Sequence, residues 1–411
     1  MTTSRRVVIT GVGTVNALAP DAVSTFERLS TGKPRVEKRQ LQEMPGRSRE
    51  YCIATPEADS TERLTERAKS VLAELGYSAH RDLAFTIAAL EEALSHSGYV
   101  FPTNDNTLGA ILSFEAPGME RTVATLFEGL AGGAPVEMTS LIERLGEAFY
   151  RTQAFVMTHV VGKCFKLHGF TTCVSNACSS GLHALDLAAG MIRDGRAEAM
   201  FVAGGEHFET GVRLAYFGRQ GFYSGTGDVR PYVKPATGFI VGEGAAALLL
   251  ESNTSAVARG ADVLCEVFPA AFAQQSWHQT LPNVRDRRLQ GVIRTALQFA
   301  DTPASSVDLT VAHGAATGVS DEYELDCINR AMQREEEPIV VGFKGLTGHM
   351  LGASAIVDLA ILAKALGRAR LPVTEVTARR TADLPCRTAL KVATGFTGHD
   401  AAVVLKSVKI A

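Results

Sequence analysis

The run Ala245–Leu250, AAALLL, offers no polar side chain to a solvent face. A strand that is apolar on both sides belongs in a sheet covered on both faces, so the chain is pushed toward layered α/β architectures. Further strand-like runs recur along the 411 residues: Arg5–Thr10, Leu108–Leu112, Thr171–Ser175, Ala199–Ala203, Leu309–Ala312, Pro338–Val341, Leu390–Ala393 and Ala401–Leu405. Helical apolar spacing lies between them, over Ser78–Gly98, most of Pro135–Phe155, and Gly352–Leu366. Gly11 and Gly13 read as the turn after the first strand. Strands alternating with helices predict α/β layers around a mostly buried sheet. The length suits two sub-domains of about 150–200 residues each.

Two segments echo one another. Cys178 heads the helical stretch SSGLHALDLAAGMIRDG, and His349 heads MLGASAIVDLAILAKALG. Each is a strand, a turn with a polar reactive residue, small residues, then an amphipathic helix. The echo divides the chain into two similar halves, residues 1–254 and 255–411, with the boundary near Glu251–Gly260.

Composition removes several classes of function. The net charge of −3 argues against broad nucleic-acid or membrane binding, although a local basic patch could still dock an acidic partner. The seven cysteines are an odd number with no CxxC pair, which disfavours a disulfide framework and a thiolate zinc site. The opening MTTSRRVVITGVG reads as a strand and not as a signal peptide, and no apolar run approaches about 18 residues. A cytoplasmic protein with free thiols is the expectation.

Cys178 stands where a strand gives way to a helix. Unpaired N–H groups and the positive end of the helix dipole favour a thiolate there, and Ala177, Ser179, Ser180 and Gly181 leave room for a substrate. A lone cysteine is more often a small buried hydrophobe, as Cys173 is expected to be. His313, in AHGAATG, and His349, in GFKGLTGHMLGASA, also follow strand ends among glycines. Ligands gather outside the C-terminal ends of strands in such sheets, so the three side chains are expected to converge on one pocket. Weaker patterns carry little. GVGTVN lacks the third glycine of a dinucleotide loop, and there is no P-loop, HExxH or GxSxG. Asp321 and Glu324 with Lys344 read as a surface charge set, and Glu335–Glu337 as a solvated loop.

NACSSGLHAL, RPYVKPATGFIVGEGAAALLLE, AHGAATGVSDEYE, GFKGLTGHMLGAS and GFTGHDAAVVL, with the opening RRVVITGVGTVNALAPD, resemble β-ketoacyl-acyl-carrier-protein synthases. The nearest type is the Cys-His-His decarboxylating enzyme of fatty-acid and type II polyketide synthesis. The resemblance covers essentially the whole chain. It implies the thiolase fold, a five-layered α-β-α-β-α arrangement of two similar halves, usually dimeric. It implies that Cys178 accepts the acyl group, that His313 and His349 drive malonyl decarboxylation, and that Lys344 orders the site with Glu324 and Asp321 as acidic partners. Phe396, preceded by Gly395, would be the gate, its N–H completing an oxyanion hole with that of Cys178, and Thr317 would contact the pantetheine arm. No metal or other cofactor is implied, since an acyl-carrier protein brings the substrates on its phosphopantetheine. The partners implied are that carrier and a second subunit, either a copy of this chain or one resembling a chain-length factor.

The chain also departs from the family pattern. Ala315 replaces the first threonine of HGTxT, and Val392–Asp400 reads VATGFTGHD where NSFGFGGTN is usual. The segment Ala116–Arg151, which borders the dimer contact and acyl pocket in this fold, is also unlike common members. These changes point to unusual acyl substrates or a specialised pathway. They also leave open an acyltransferase that moves its acyl group to an oxygen or nitrogen nucleophile without decarboxylation. A purely structural subunit is a third possibility, but such chain-length subunits usually lack the nucleophile.

Overall fold

The computed structural model describes residues 5–57, 63–100, 108–130, 137–333, 337–378 and 380–408. One 11-stranded sheet runs through the molecule. Its strands are β1 (Val7–Val15), β2 (Leu108–Ser113), β3 (Thr171–Val174), β4 (Ala199–Glu206), β5 (Gly244–Ser252), β6 (Cys265–Val267), β7 (Ala271–Gln274), β8 (Leu309–Val311), β9 (Val340–Val341), β10 (Thr388–Gly395) and β11 (His399–Lys406). Their order is β9-β8-β10-β11-β6-β1-β5-β4-β2-β3, with β7 paired to β11. Reading inward from each end gives the same sequence of pairings. From β3 it is parallel, parallel, antiparallel, antiparallel, and from β9 it is the same. The short β6 pairs with both β1 and β11 and joins the two sides.

Period-two alternation sends neighbouring side chains to opposite faces, and here both faces are covered. Ala199, Phe201 and Ala203 of β4 pack with Leu83, Phe85 and Leu90 of α1 (Arg81–Ser97). Met200 and Val202 face the other way, onto Leu182 and Leu185 of α2 (Ser180–Arg193) and Leu359 of the helix Ser354–Arg368. In the C-terminal part, Ala389, Val403 and Leu405 join that same central cluster. Leu390, Val392 and Val404 pack outward against α3 (Arg288–Phe299) and α4 (Gly318–Met332). The result is five layers, α-β-α-β-α. The middle helix layer is α2 with α5 (Ser354–Arg368), and every residue of α5 from Ser354 to Gly367 is buried. A helix buried on all sides has its place between two sheets.

The opening glycines do not form a turn. β1 continues through them to Val15, with a bulge between Ile9 and Gly11. They are glycines because α1 crosses directly over the strand: a Cβ on Gly11 would lie 2.2 Å from the Ala93 carbonyl oxygen, and one on Gly13 would lie 2.1 Å from that of Ala89. The stretch expected to be mostly helical over Pro135–Phe155 is a helix over Met138–Arg151, followed by a second that starts at Ala154. Its first two residues lie outside the described residues, as do Glu335 and Glu336 of the expected acidic loop. No helix among the described residues is long and apolar enough to cross a membrane.

Candidate active site

Three loops from the C-terminal ends of strands meet at one cavity. After β3, the backbone turns sharply at Ala177, whose φ of 50° is unfavourable for a residue with a Cβ. Ser180 locks this turn: its Oγ accepts from the Asn176 N–H at 2.7 Å and donates to the Ala177 carbonyl at 2.5 Å. Cys178 is thereby held two residues before α2 and is buried. His313 follows β8 after one intervening residue. His349 lies beyond the short helix Lys344–Thr347, tied to the Val241 region by its N–H to the Ile240 carbonyl at 2.8 Å and by the Gly242 N–H to its own carbonyl at 2.9 Å.

The ligating atoms of Cys178, His313 and His349 all lie within 4.8 Å of one another. The two imidazoles meet edge to face, with ring centroids 5.3 Å apart, and Phe239 packs edge-on to His349 at 5.0 Å. Nδ1 of His349 accepts from the Leu351 N–H at 3.3 Å and lies 2.8 Å from Ser354 Oγ. With Nδ1 an acceptor, the proton sits on Nε2, which makes the other edge of His349 a donor. That tautomer suits hydrogen bonding to an oxyanion better than metal ligation, where the outer nitrogen normally donates.

Lys344 is not on the surface, and neither are Glu324 and Asp321; all three are buried. Nor is Glu324 or Asp321 the ion partner of Lys344. Among the described residues, the carboxylate within ion-pair distance is Asp358 of α5, at 3.7 Å. Lys344 Nζ also donates to the His313 carbonyl. Glu324 instead clamps the His313 loop, accepting from the N–H groups of His313 at 2.6 Å and Gly314 at 2.9 Å and from the Tyr232 hydroxyl at 2.8 Å. Asp321 accepts from the Tyr232 N–H at 2.7 Å, and burial lifts its carboxyl to about 7. A second buried cation completes the group: Lys391 of β10 reaches Asp358 at 2.8 Å and donates to the Ala312 carbonyl at 3.3 Å. Sequence reasoning missed Asp358 and Lys391. The available signal was one acid among the apolar residues that open the helix Ser354–Arg368 and one lysine in an apolar strand, since two such intrusions remain only if they meet.

The cavity, about 670 Å³, is lined by Cys178, both histidines, Ala315, Thr317, Gly395 and Phe396. Phe396 opens a short 3-10 turn and contacts Phe222 and Phe217, with ring centroids at 5.5 and 6.3 Å. A Cβ on Gly395 would sit 3.1 Å from the Asn176 carbonyl oxygen and 3.4 Å from the Cys178 nitrogen, so this segment lies directly against the cysteine loop. The altered C-terminal segment also contributes Thr394 and Asp400 to the wall. Asp400 Oδ2 accepts from Gln275 Nε2 at 2.7 Å and from the Tyr323 hydroxyl at 3.2 Å, while burial lifts its carboxyl to about 7.

Electrostatics here differ from the expectation of a resting thiolate. Burial pushes the Cys178 thiol up, Glu115 adds to the rise and Lys344 opposes it. Burial pushes both imidazoles well below their ordinary value, and the Lys344 and Lys391 charges add to this. The site at rest is therefore a thiol beside two neutral imidazoles. The helix terminus alone does not outweigh desolvation of the sulfur.

Comparison with known proteins places this geometry. The profile of the β-ketoacyl synthase N-terminal domain matches residues 4–256, and that of the C-terminal domain matches residues 264–376. The chain is 27% identical over 423 residues to the Streptomyces halstedii protein named polyketide beta-ketoacyl synthase 1, covering 98% of each. It is 26% identical to the 3-oxoacyl-[acyl-carrier-protein] synthase 2 of Vibrio harveyi, over 87% of this chain and 85% of that one. Among solved structures, a ketosynthase described as part of a type II polyketide-synthase complex with its acyl-carrier protein superposes with a TM-score of 0.82 at 22% identity, covering 99% of this chain and 100% of that one. The ishigamide ketosynthase/chain length factor gives 0.83 at 21% identity, with the same coverage. At these identities the structural likeness speaks for the fold.

Proposed function

The chain belongs to the β-ketoacyl synthase family, and from that premise we propose decarboxylative condensation of a Cys178-bound acyl group with malonyl-acyl-carrier protein, in a type II polyketide or specialised fatty-acid pathway. The observation that carries the reading is the convergence of Cys178, His313 and His349 within 4.8 Å in one buried cavity. Residues 1–254 supply the nucleophile, and residues 255–411 supply the histidines and Lys344.

In the first half-reaction Cys178 attacks the thioester carbonyl. The new S–C bond forms as the bond to the carrier's sulfur breaks, and the thiol proton ends on the departing pantetheine thiol. The N–H groups of Cys178 and Phe396 hold the developing oxyanion. In the second, the malonyl carboxylate leaves as carbon dioxide and its electron pair forms an enolate, whose oxygen accepts from His349 Nε2–H and from His313. The enolate carbon then attacks the acyl carbonyl, breaks the S–C bond and returns Cys178, which regains a proton. Neutral imidazoles suit this role, because each offers a donor without protonating the nascent carbanion. Lys344, Asp358 and Glu324 act as positioning residues by fixing the His313 loop. No resident cofactor enters this scheme, and in this reading Thr317, which lines the cavity, contacts the pantetheine arm.

The partners in this reading are an acyl-carrier protein and a second subunit, either another copy or a chain-length-factor-like chain, in the cytoplasm. Solved relatives described with those two kinds of partner support it. So does an exposed apolar set, Met138, Ile142, Phe149 and Tyr150, each at least 60% exposed, on the segment that departs from common family members.

The test uses the chain with an acyl thioester and carboxyl-labelled malonyl-carrier protein. One acyl mass should map to Cys178, and labelled carbon dioxide should appear in step with condensed product. His349→Ala should keep acylation and lose about 10²–10³ in carbon dioxide release. Acylation of Cys178 with no carbon dioxide release would transfer the reading to the acyltransferase alternative.

A further inference from the structure

Most of the wall beside Cys178 is apolar, with Phe217, Phe222, Phe239 and Leu351 around it. Glu115 and Asp400 are the two carboxylates in the cavity lining, and Glu115 is the one whose charge bears on Cys178. It follows β2, and its backbone is wedged between the two reactive loops: its carbonyl accepts from Ser175 Oγ at 3.3 Å, and a Cβ on Gly352 would lie 2.7 Å from its nitrogen. It lines the same cavity as the cysteine and leads the charges that raise the Cys178 thiol. On its far side Glu115 reaches Arg213 at 3.5 Å. Arg213, its side chain 10% exposed, also binds Glu120 at 2.7 Å and Glu206 at 3.2 Å. Arg213, Glu120 and Glu206 line a second, polar cavity of about 310 Å³. Glu115 therefore puts a carboxyl, backed by the Arg213 guanidinium, on the wall of the cavity that holds Cys178.

We propose that Glu115 is a specificity-determining residue: its carboxyl hydrogen-bonds a hydroxyl on the acyl chain held by Cys178 and selects against plain alkyl chains. This rests on the acylation of Cys178 proposed above. Burial raises the Glu115 carboxyl, and a hydroxyl can accept from the protonated acid or donate to the carboxylate, so the match survives either state. A methylene chain pressed against the same wall would strip the carboxyl of water and return no hydrogen bond, which is the larger part of such discrimination.

The experiment measures the rate at which hexanoyl and 4-, 5- and 6-hydroxyhexanoyl pantetheine thioesters add their mass to Cys178, with Cys178→Ala as the blank. Wild type should take at least one hydroxylated chain about tenfold or more faster than hexanoyl. Glu115→Leu should bring that ratio to about one or below, while Glu115→Gln should keep most of it. Arg213 retains Glu120 and Glu206 in both variants, so the fold has support without Glu115. Faster loading of hexanoyl by wild type, or an unchanged ratio in Glu115→Leu, would overturn the proposal while leaving the condensing reading intact. Loading of none of the four chains would overturn both.

Discussion

Replacing Asp358 with Asn removes the one carboxylate that both buried lysines share, at nearly unchanged volume. Its Oδ2 lies 2.8 Å from Lys391 Nζ and 3.7 Å from Lys344 Nζ. In an effective dielectric of about 20, Coulomb attraction at those separations is about 6 and about 4.5 kcal/mol. Desolvation of three ions offsets much of that in the intact group, but a variant that keeps both ammoniums and loses the anion forfeits the attraction while retaining their burial. Breaking buried pairs this way costs about 3–5 kcal/mol. The lower end, about 3 kcal/mol, applies here, because Lys391 keeps the Ala312 and Val392 carbonyls and Lys344 keeps that of His313. Urea unfolding followed by circular dichroism reads the loss as a lowered midpoint. The double variant Asp358→Leu with Lys391→Met should lose less than its two single variants combined, since it deletes a cation along with the anion. A single variant within 1 kcal/mol of wild type, or a strictly additive double variant, would refute the reasoning.

Two further outcomes follow from single sites. Asp400 has a carboxyl lifted to about 7 by burial, against about 3.9 in an unfolded chain. The native state thus binds this proton more tightly, and stability from this group is full below about pH 4 and lost as pH rises toward 7. Asp400→Asn should therefore gain on wild type between pH 5 and 7.5, within a ceiling of about 4 kcal/mol, and a melting-temperature difference that stays flat with pH counts against it. Gly13→Ala places a Cβ 2.1 Å from a helix carbonyl oxygen and should cost about 1–3 kcal/mol in urea unfolding. Gly291→Ala, where a Cβ would meet nothing within 4 Å, is the control expected to be neutral or stabilising, and equal midpoints for the two variants would contradict the close approach of α1 to β1.

The short apolar runs located β2, β4, β5 and β8 because burial on both faces leaves no other use for them. AHGAATG and GFKGLTGHM marked the histidine loops because a reactive side chain near a strand end needs small neighbours. GVG misled for a physical reason: glycine serves a turn and a crowded crossing equally well, and only the position of α1 tells them apart. The expected partner of Lys344 was wrong for a similar reason. Glu324 was implied as partner by the family resemblance, whereas Asp358, although nearer to Lys344 along the chain, is hidden in a helix whose pattern reads as core.

Residue types and their order along the chain were enough to establish the layered α/β class, the Cys-His-His set and the family. These depend on periodicity and on local motifs, which are properties of neighbouring residues. Tertiary structure alone decided that Cys178 rests as a thiol, that two lysines share Asp358, and that Glu115, backed by Arg213, lines the cavity beside Cys178. Each of these is set by desolvation and by Coulomb contacts between residues tens to hundreds of positions apart, and such distances exist only once the layers have closed.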